Sequence, residues 1–170
     1  MRHFLIAGLA LTAIGLSPAN AETAAERGKY LASFGGCDHC HTPGYFLGKP
    51  DAARQFSGSD VGFKVGDLGI FVGPNLTSDK ETGLGAWTDE QIAAVLTTGV
   101  RPDGRILAPI MPWRSFAKMT KTDVAALVAY LRTLPPITNK VPGPFGPDEK
   151  PPIFVMRLTP PDAAPATAQK

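Results

Sequence analysis

Stretches with a clear apolar period alternate along this chain with stretches that have none. In residues 23–34, Thr23 and Glu26 stand at capping-box spacing and Gly35-Gly36 supplies a stop, which predicts a short helix. The same signals return at Thr88, with Gln91 three residues on. There the run Ile92-Ala93-Ala94-Val95-Leu96 ends at Gly99, predicting a second helix. A third begins near Thr120 or Thr122. Val124, Leu127, Val128 and Leu131 fall at i, i+3, i+4 and i+7, a stripe that faces a core, until Pro135-Pro136 ends the helix. Between the second and third helices, Arg101-Pro102-Asp103-Gly104-Arg105 reads as a tight turn.

The remaining segments lack such a period. Residues 42–87 hold nine glycines and no helical repeat. A loop of this length inside a compact domain wraps something or does a job. Phe63, Val65, Ile70 and Val72 are candidates for short strands, with no register to be read from the pattern. Residues 135–165 carry ten prolines, which excludes helix and leaves too few apolar residues for a second core. An extended arm is expected there. At the other end, Met1-Arg2-His3, an apolar run over residues 4–16 and Ala19-Asn20-Ala21 match a cleaved export leader. A run of thirteen residues falls short of the ~20 that span a bilayer. The expected division is a signal peptide at 1–21, a domain at 22–138 and a Pro-rich extension at 139–170. The mature protein would begin at Glu22, and its expected location is the periplasm.

Charge narrows the partners. With 17 basic and 15 acidic residues the chain has a formal charge of +2, and loss of Arg2 leaves 16 against 15. That near-neutral balance does not suit nucleic acid, which needs a clustered basic face. No other run approaches the length of a membrane span, so no transmembrane anchor is expected after cleavage.

The strongest chemical signal is CDHCH at residues 37–41. C-x-x-C-H is the attachment spacing of c-type haem. Two thiols three residues apart reach the two vinyl groups on one porphyrin edge, and His41 then follows beneath the ring to meet the iron. A thioredoxin-like pair would need a strand-to-helix junction in a βαβ sheet, which is not seen. Structural zinc needs four ligands, and the Cys and His residues of the mature chain crowd one turn. A plain disulfide is sterically awkward at this spacing. One motif implies one haem, held covalently through Cys37 and Cys40. His39, inside the motif, is expected to face solvent.

A sixth iron ligand follows by elimination. No further histidine survives leader removal, and the methionines left are Met111, Met119 and Met156. Met156 lies in the proline-rich arm, and Met119 reads as an apolar filler before the last helix. Met111 sits in Ala108-Pro109-Ile110-Met111-Pro112-Trp113, a proline-stiffened loop that holds a thioether with little ordering entropy. The expected iron ligands are therefore His41 and Met111.

These residues resemble the class I cytochromes c, and most closely the single-haem modules in cytochrome c subunits of bacterial alcohol and gluconate dehydrogenases. The resemblance rests on RGKYL at 27–31, CDHCHTPG at 37–44, PNLTSD at 74–79 and ETGLGAWT at 81–88. It continues with GVRPDGR at 99–105, IMPW at 110–113 and VAALVAYL at 124–131. It implies an all-α fold, the small cytochrome c fold, in which the first and last helices cross, with Gly28 letting the backbones approach beside Tyr130. Asn75, Trp87 and Arg101 are candidates for the haem propionates and pocket wall, since amide, indole and guanidinium donors suit a carboxylate edge. Pro43 and Pro50 both offer a carbonyl that would orient His41. Those subunits typically carry three haem modules and a membrane-binding tail, whereas one motif is present here, so the particular dehydrogenase is left open.

The function expected from this reading is electron transport without substrate chemistry. The partners would be a dehydrogenase donor and a cytochrome or oxidase acceptor. Two other classes remain as alternatives. A peroxidase-like enzyme would need an open iron position and distal acid–base groups. A haem-based sensor would need a dissociating ligand and an output element.

Overall fold

The computed structural model describes residues 21–159. The expected leader falls outside these residues except for Ala21, as do the last eleven positions of the arm. Among the described residues five α-helices are present: α1 (Ala24–Phe34), α2 (Cys37–His41), α3 (Asp89–Thr98), α4 (Trp113–Phe116) and α5 (Lys121–Thr133). Three strands accompany them: β1 (Val61–Val65), β2 (Gly69–Val72) and β3 (Phe154–Met156).

The helix starts follow from capping. Thr23 Oγ1 accepts the Glu26 amide at 3.2 Å while Glu26 Oε2 accepts the Thr23 amide at 2.8 Å, so both partners of the box are met. Thr88 and Gln91 repeat the arrangement on α3. Thr120, rather than Thr122, caps α5 by accepting from the Asp123 amide at 3.1 Å. At the other end of α3, Gly99 takes the left-handed conformation at φ +72° that a Cβ would disfavour, and its N–H closes on Val95 O.

The core is built where α1 lies against α5. Ala32 of α1 and Leu127, Val128 and Leu131 of α5 belong to one buried cluster, which Ile92 and Leu96 of α3 share. Gly28 sets how close the two helices come. A Cβ at that position would lie 2.7 Å from Tyr130 Cβ and nearer still to the Ala126 carbonyl oxygen. Arg27 Nε donates to Asp123 Oδ1 at 2.9 Å at the edge of the same contact.

The sheet corrects the expected all-α fold: the architecture is mixed, helices with a three-stranded sheet in the order β2-β1-β3. β1 and β2 run antiparallel, pairing Gly62 with Val72, Phe63 with Phe71 and Lys64 with Ile70. β3 comes from the proline-rich arm and runs parallel to β1, pairing Gly62 with Val155. The helical expectation failed here because β1 is stabilised by a segment about ninety residues away in sequence, a contact that no local pattern records. Ile70 of β2 is fully buried, so the sheet closes one side of the molecule.

Candidate functional site

The site begins at Gly36, whose φ of +63° turns the chain out of α1 and directly into α2. One helical turn then sets Cys37 and Cys40 at i and i+3 on a common face. Both thiols are free. Burial, with the nearby Asp38 charge, pushes the Cys37 thiol up to about 11, and burial raises Cys40 as well. Both are therefore neutral thiols at neutral pH.

His41 ends the turn and is 5% exposed. Its Nδ1 lies 2.7 Å from the carbonyl oxygen of Pro74. A carbonyl only accepts, so Nδ1 carries the proton and Nε2 keeps its lone pair. Burial holds the imidazole pKa below its ordinary value and so favours the neutral ring, while the hydrogen bond to Pro74 O works in the opposite direction. This is the donor state a metal requires, with the carbonyl that orients the ring already in place. The orienting carbonyl is thus Pro74, not Pro43 or Pro50. Pro74 stands 33 residues from His41 in the chain, and no motif links the two.

The loop that brings Pro74 is held tightly. Gly73 lies so close to α2 that a Cβ there would come within 2.8 Å of the Cys40 carbonyl carbon and overlap its oxygen. Gly58 N–H donates to His41 O at 2.8 Å, and Ser59 N–H donates to Gly73 O at 2.9 Å. Asn75, 2% exposed, gives one amide hydrogen to Thr82 Oγ1 at 3.0 Å and one to Ile137 O at 2.7 Å. Its Oδ1 accepts from the Thr77 amide and hydroxyl. With both amide hydrogens taken, the side chain braces the Pro74 loop.

These elements enclose a cavity of about 790 Å³. Such a volume belongs with the pre-formed sites that hold cofactors. All seven residues singled out from the sequence line it: Cys37, Cys40, His41, Asn75, Trp87, Arg101 and Met111. Apolar side chains, among them Leu76, Leu96, Leu127 and Leu131, make much of the rest of its wall. Met111 sits in the loop before α4, its amide donating to Ala108 O at 3.0 Å. Met119 and Met156 are not part of the wall; Met119 packs on the core and Met156 is exposed on β3. His39 is exposed, as expected, and stacks on Tyr45 at 4.2 Å between ring centroids.

One corner of the cavity is cationic. Arg101 lies over the Trp87 ring, 4.9 Å from its centroid, and its Nε is 3.3 Å from Asp103 Oδ2. Arg105, which the sequence reading passed over, lines the cavity too. Its guanidinium pKa is lowered by burial and then by the Arg101 charge. The 101–105 turn, closed by the Val100–Ile106 bridge and by Arg101 N–H to Arg105 O at 3.0 Å, brings the two together. The signal available was the spacing of two arginines across a Pro-Asp-Gly turn.

Paired thiols, a neutral imidazole with a free lone pair, a thioether, apolar walls and a cationic corner fit a haem. Cys37 and Cys40 would hold it covalently, His41 and Met111 would ligate its iron, and Arg101 would face its carboxylates.

Comparison with known proteins bears on the same residues. The family profile described as Cytochrome c matches residues 25–135. The chain is 35% identical over 116 residues to a diheme cytochrome c-type protein of Cereibacter sphaeroides, covering 66% of this chain and 36% of that one. It is 32% identical over 145 residues to the cytochrome c subunit of a quinone alcohol dehydrogenase from Gluconobacter oxydans, covering 81% of this chain and 28% of that one. To the gluconate 2-dehydrogenase cytochrome c subunit of Pantoea cypripedii it is 32% identical over 106 residues, 62% of this chain and 22% of that one. The chain thus spans little more than a third, or less, of the length of these relatives. Since the matched region runs from α1 through α5 and takes in the whole CDHCH turn, the chain belongs to the cytochrome c family.

Proposed function

We propose that this protein passes single electrons from a periplasmic dehydrogenase to a respiratory acceptor through one covalently held haem c. The observation that carries the reading is the convergence of the CDHCH turn and Met111 on one cavity. Membership in the cytochrome c family supports an electron-transfer haem protein, and several relatives are named as cytochrome subunits of dehydrogenases. When bound, the haem supplies one reversible Fe(III)/Fe(II) couple, which a Met/His ligand pair poises towards Fe(II).

The chain's own residues serve that couple by staying still. Pro74 O fixes the His41 tautomer and ring, so the same nitrogen faces the metal in both oxidation states. The stiff turn around Pro109 and Pro112 would keep the Met111 thioether in reach of the iron, where it would exclude a substrate. Arg101, stacked over Trp87, would hold the haem's carboxylate edge. Among the described residues no helix is long and apolar enough to cross a membrane. An exported protein docking its partners from the periplasm is the form this reading takes.

Two experiments test it. Intact-mass spectrometry of protein from periplasm should give a chain starting at Glu22 plus one haem. Optical redox titration with stopped-flow oxidation should then give a one-electron Nernst curve and rapid oxidation by periplasmic acceptors. A chain without the haem mass, or a haem that turns over peroxide, would overturn the proposal.

A further inference from the structure

The family match ends at residue 135, but the wall of the cavity continues beyond it. Residues 140–144, from the proline-rich arm, line the same cavity as His41. They are anchored on both sides. Before them, Ile137 N–H donates to Thr77 Oγ1 at 3.2 Å and Asn139 N–H donates to Thr82 Oγ1 at 3.0 Å. Asn139 Nδ2 reaches Ser57 O at 2.8 Å, and Thr138 Oγ1 reaches Asp79 Oδ2 at 2.9 Å. After them, Phe145 and Ile70 exchange both backbone hydrogen bonds at 2.9 Å. Between the anchors Val141 presses on Gly58, where an added Cβ would overlap Val141 Cγ2. Gly58 is the residue whose amide donates to His41 O, so the arm rests directly on the histidine's own support. Pro142 and Pro144 limit the alternative paths of this short segment.

We infer that residues 137–145 form a strap that completes the haem pocket on the His41 side, excluding water there and holding the reduction potential up. The inference rests on the proposed haem carrier. Ferric haem carries one more positive charge than ferrous haem, so water admitted to an apolar pocket favours the ferric form. A strap that keeps this side dry therefore favours reduction. The effect needs no new ligand. It belongs to residues beyond the stretch that the family profile matches.

The test is a redox titration of the full-length haem protein carrying Val141→Gly and Phe145→Pro. The first change removes the plug over Gly58, and the second removes the N–H that donates to Ile70 O. Both leave the Pro74 carbonyl and the Asn139 ties untouched. At a fixed electrode potential the reduced-to-oxidised ratio should fall at least tenfold, which is about 59 mV for one electron. Val155→Pro, which interrupts β3 beyond the strap, should change that ratio less than twofold. Should the double variant fail to fold, Val141→Ala keeps both anchors and should still lower the ratio about threefold. A parent-like potential in a strap variant with haem attached overturns the inference, as does an equal fall in Val155→Pro. If the parent itself holds no reversible haem, it is the carrier reading that fails.

Discussion

Gly28→Ala isolates the helix contact on which the haem pocket is built. The new Cβ would stand 2.7 Å from Tyr130 Cβ, 2.6 Å from the Ala126 carbonyl carbon and closer to its oxygen. Two of these three atoms are backbone of α5, so no side-chain rotation relieves the overlap. Overpacking a fixed wall costs about 1–3 kcal/mol, and a backbone obstacle puts this case near 3 kcal/mol. Replacing glycine by alanine inside a helix returns about 1 kcal/mol. The net loss is about 2 kcal/mol, which for a chain of this size lowers the melting temperature by about 4–8 °C. Thermal unfolding of the haem protein, followed by far-ultraviolet circular dichroism and by the haem band, reads the change. Covalent attachment should be unaffected, because the CDHCH turn is not touched. A variant as stable as the parent would refute the claim that direct backbone contact at Gly28 sets the α1–α5 distance.

Other expectations follow from single contacts. Gly73→Ala drives a Cβ into the Cys40 carbonyl and should disturb the thioether turn, so the share of chains carrying haem should fall sharply by mass spectrometry. Asp123 is held below the usual carboxylate range by its hydrogen bond from Arg27, then by Thr120. Its folded pKa is the lower one, so its stabilisation is present above the unfolded value of about 3.9 and is lost as pH falls through the folded value. Asp123→Asn should therefore melt earlier than the parent at pH 7 and converge with it in strong acid. The near-neutral expected mature chain, 16 basic against 15 acidic residues, should give acceptor rates that change little between low and high salt, as stopped-flow mixing would register.

The parts of the molecule legible in the sequence were those whose cause is local. Thr23 with Glu26 and Thr88 with Gln91 mark helix starts because both partners of each box lie within one turn. The CDHCH turn announces its chemistry through spacing alone. Met111 stood out through the prolines on either side of it, and the cavity wall includes it. What stayed hidden depends on contacts remote in sequence. Pro74 meets His41 only because Gly73 can lie against α2, and nothing in either segment names the other. Phe63, Val65, Ile70 and Val72 do lie in β1 and β2, but their register and the third strand stayed hidden for the same reason. β1 contains Gly62, which weakens any alternation, and its parallel partner β3 is three residues long within a proline-rich arm. Phe56 adds a further case: it is buried against Tyr130 with φ +62°, a conformation unusual for phenylalanine and unreadable from its neighbours.

Electron transfer without substrate chemistry requires the sixth iron position to be filled by Met111. Exposure of the ferrous protein to carbon monoxide tests this in one measurement, with Met111→Ala beside the parent. The parent, Met119→Ala and Met156→Ala should show almost no spectral change, whereas Met111→Ala should bind the gas rapidly with its haem still covalently attached. Rapid binding by the parent would contradict the account.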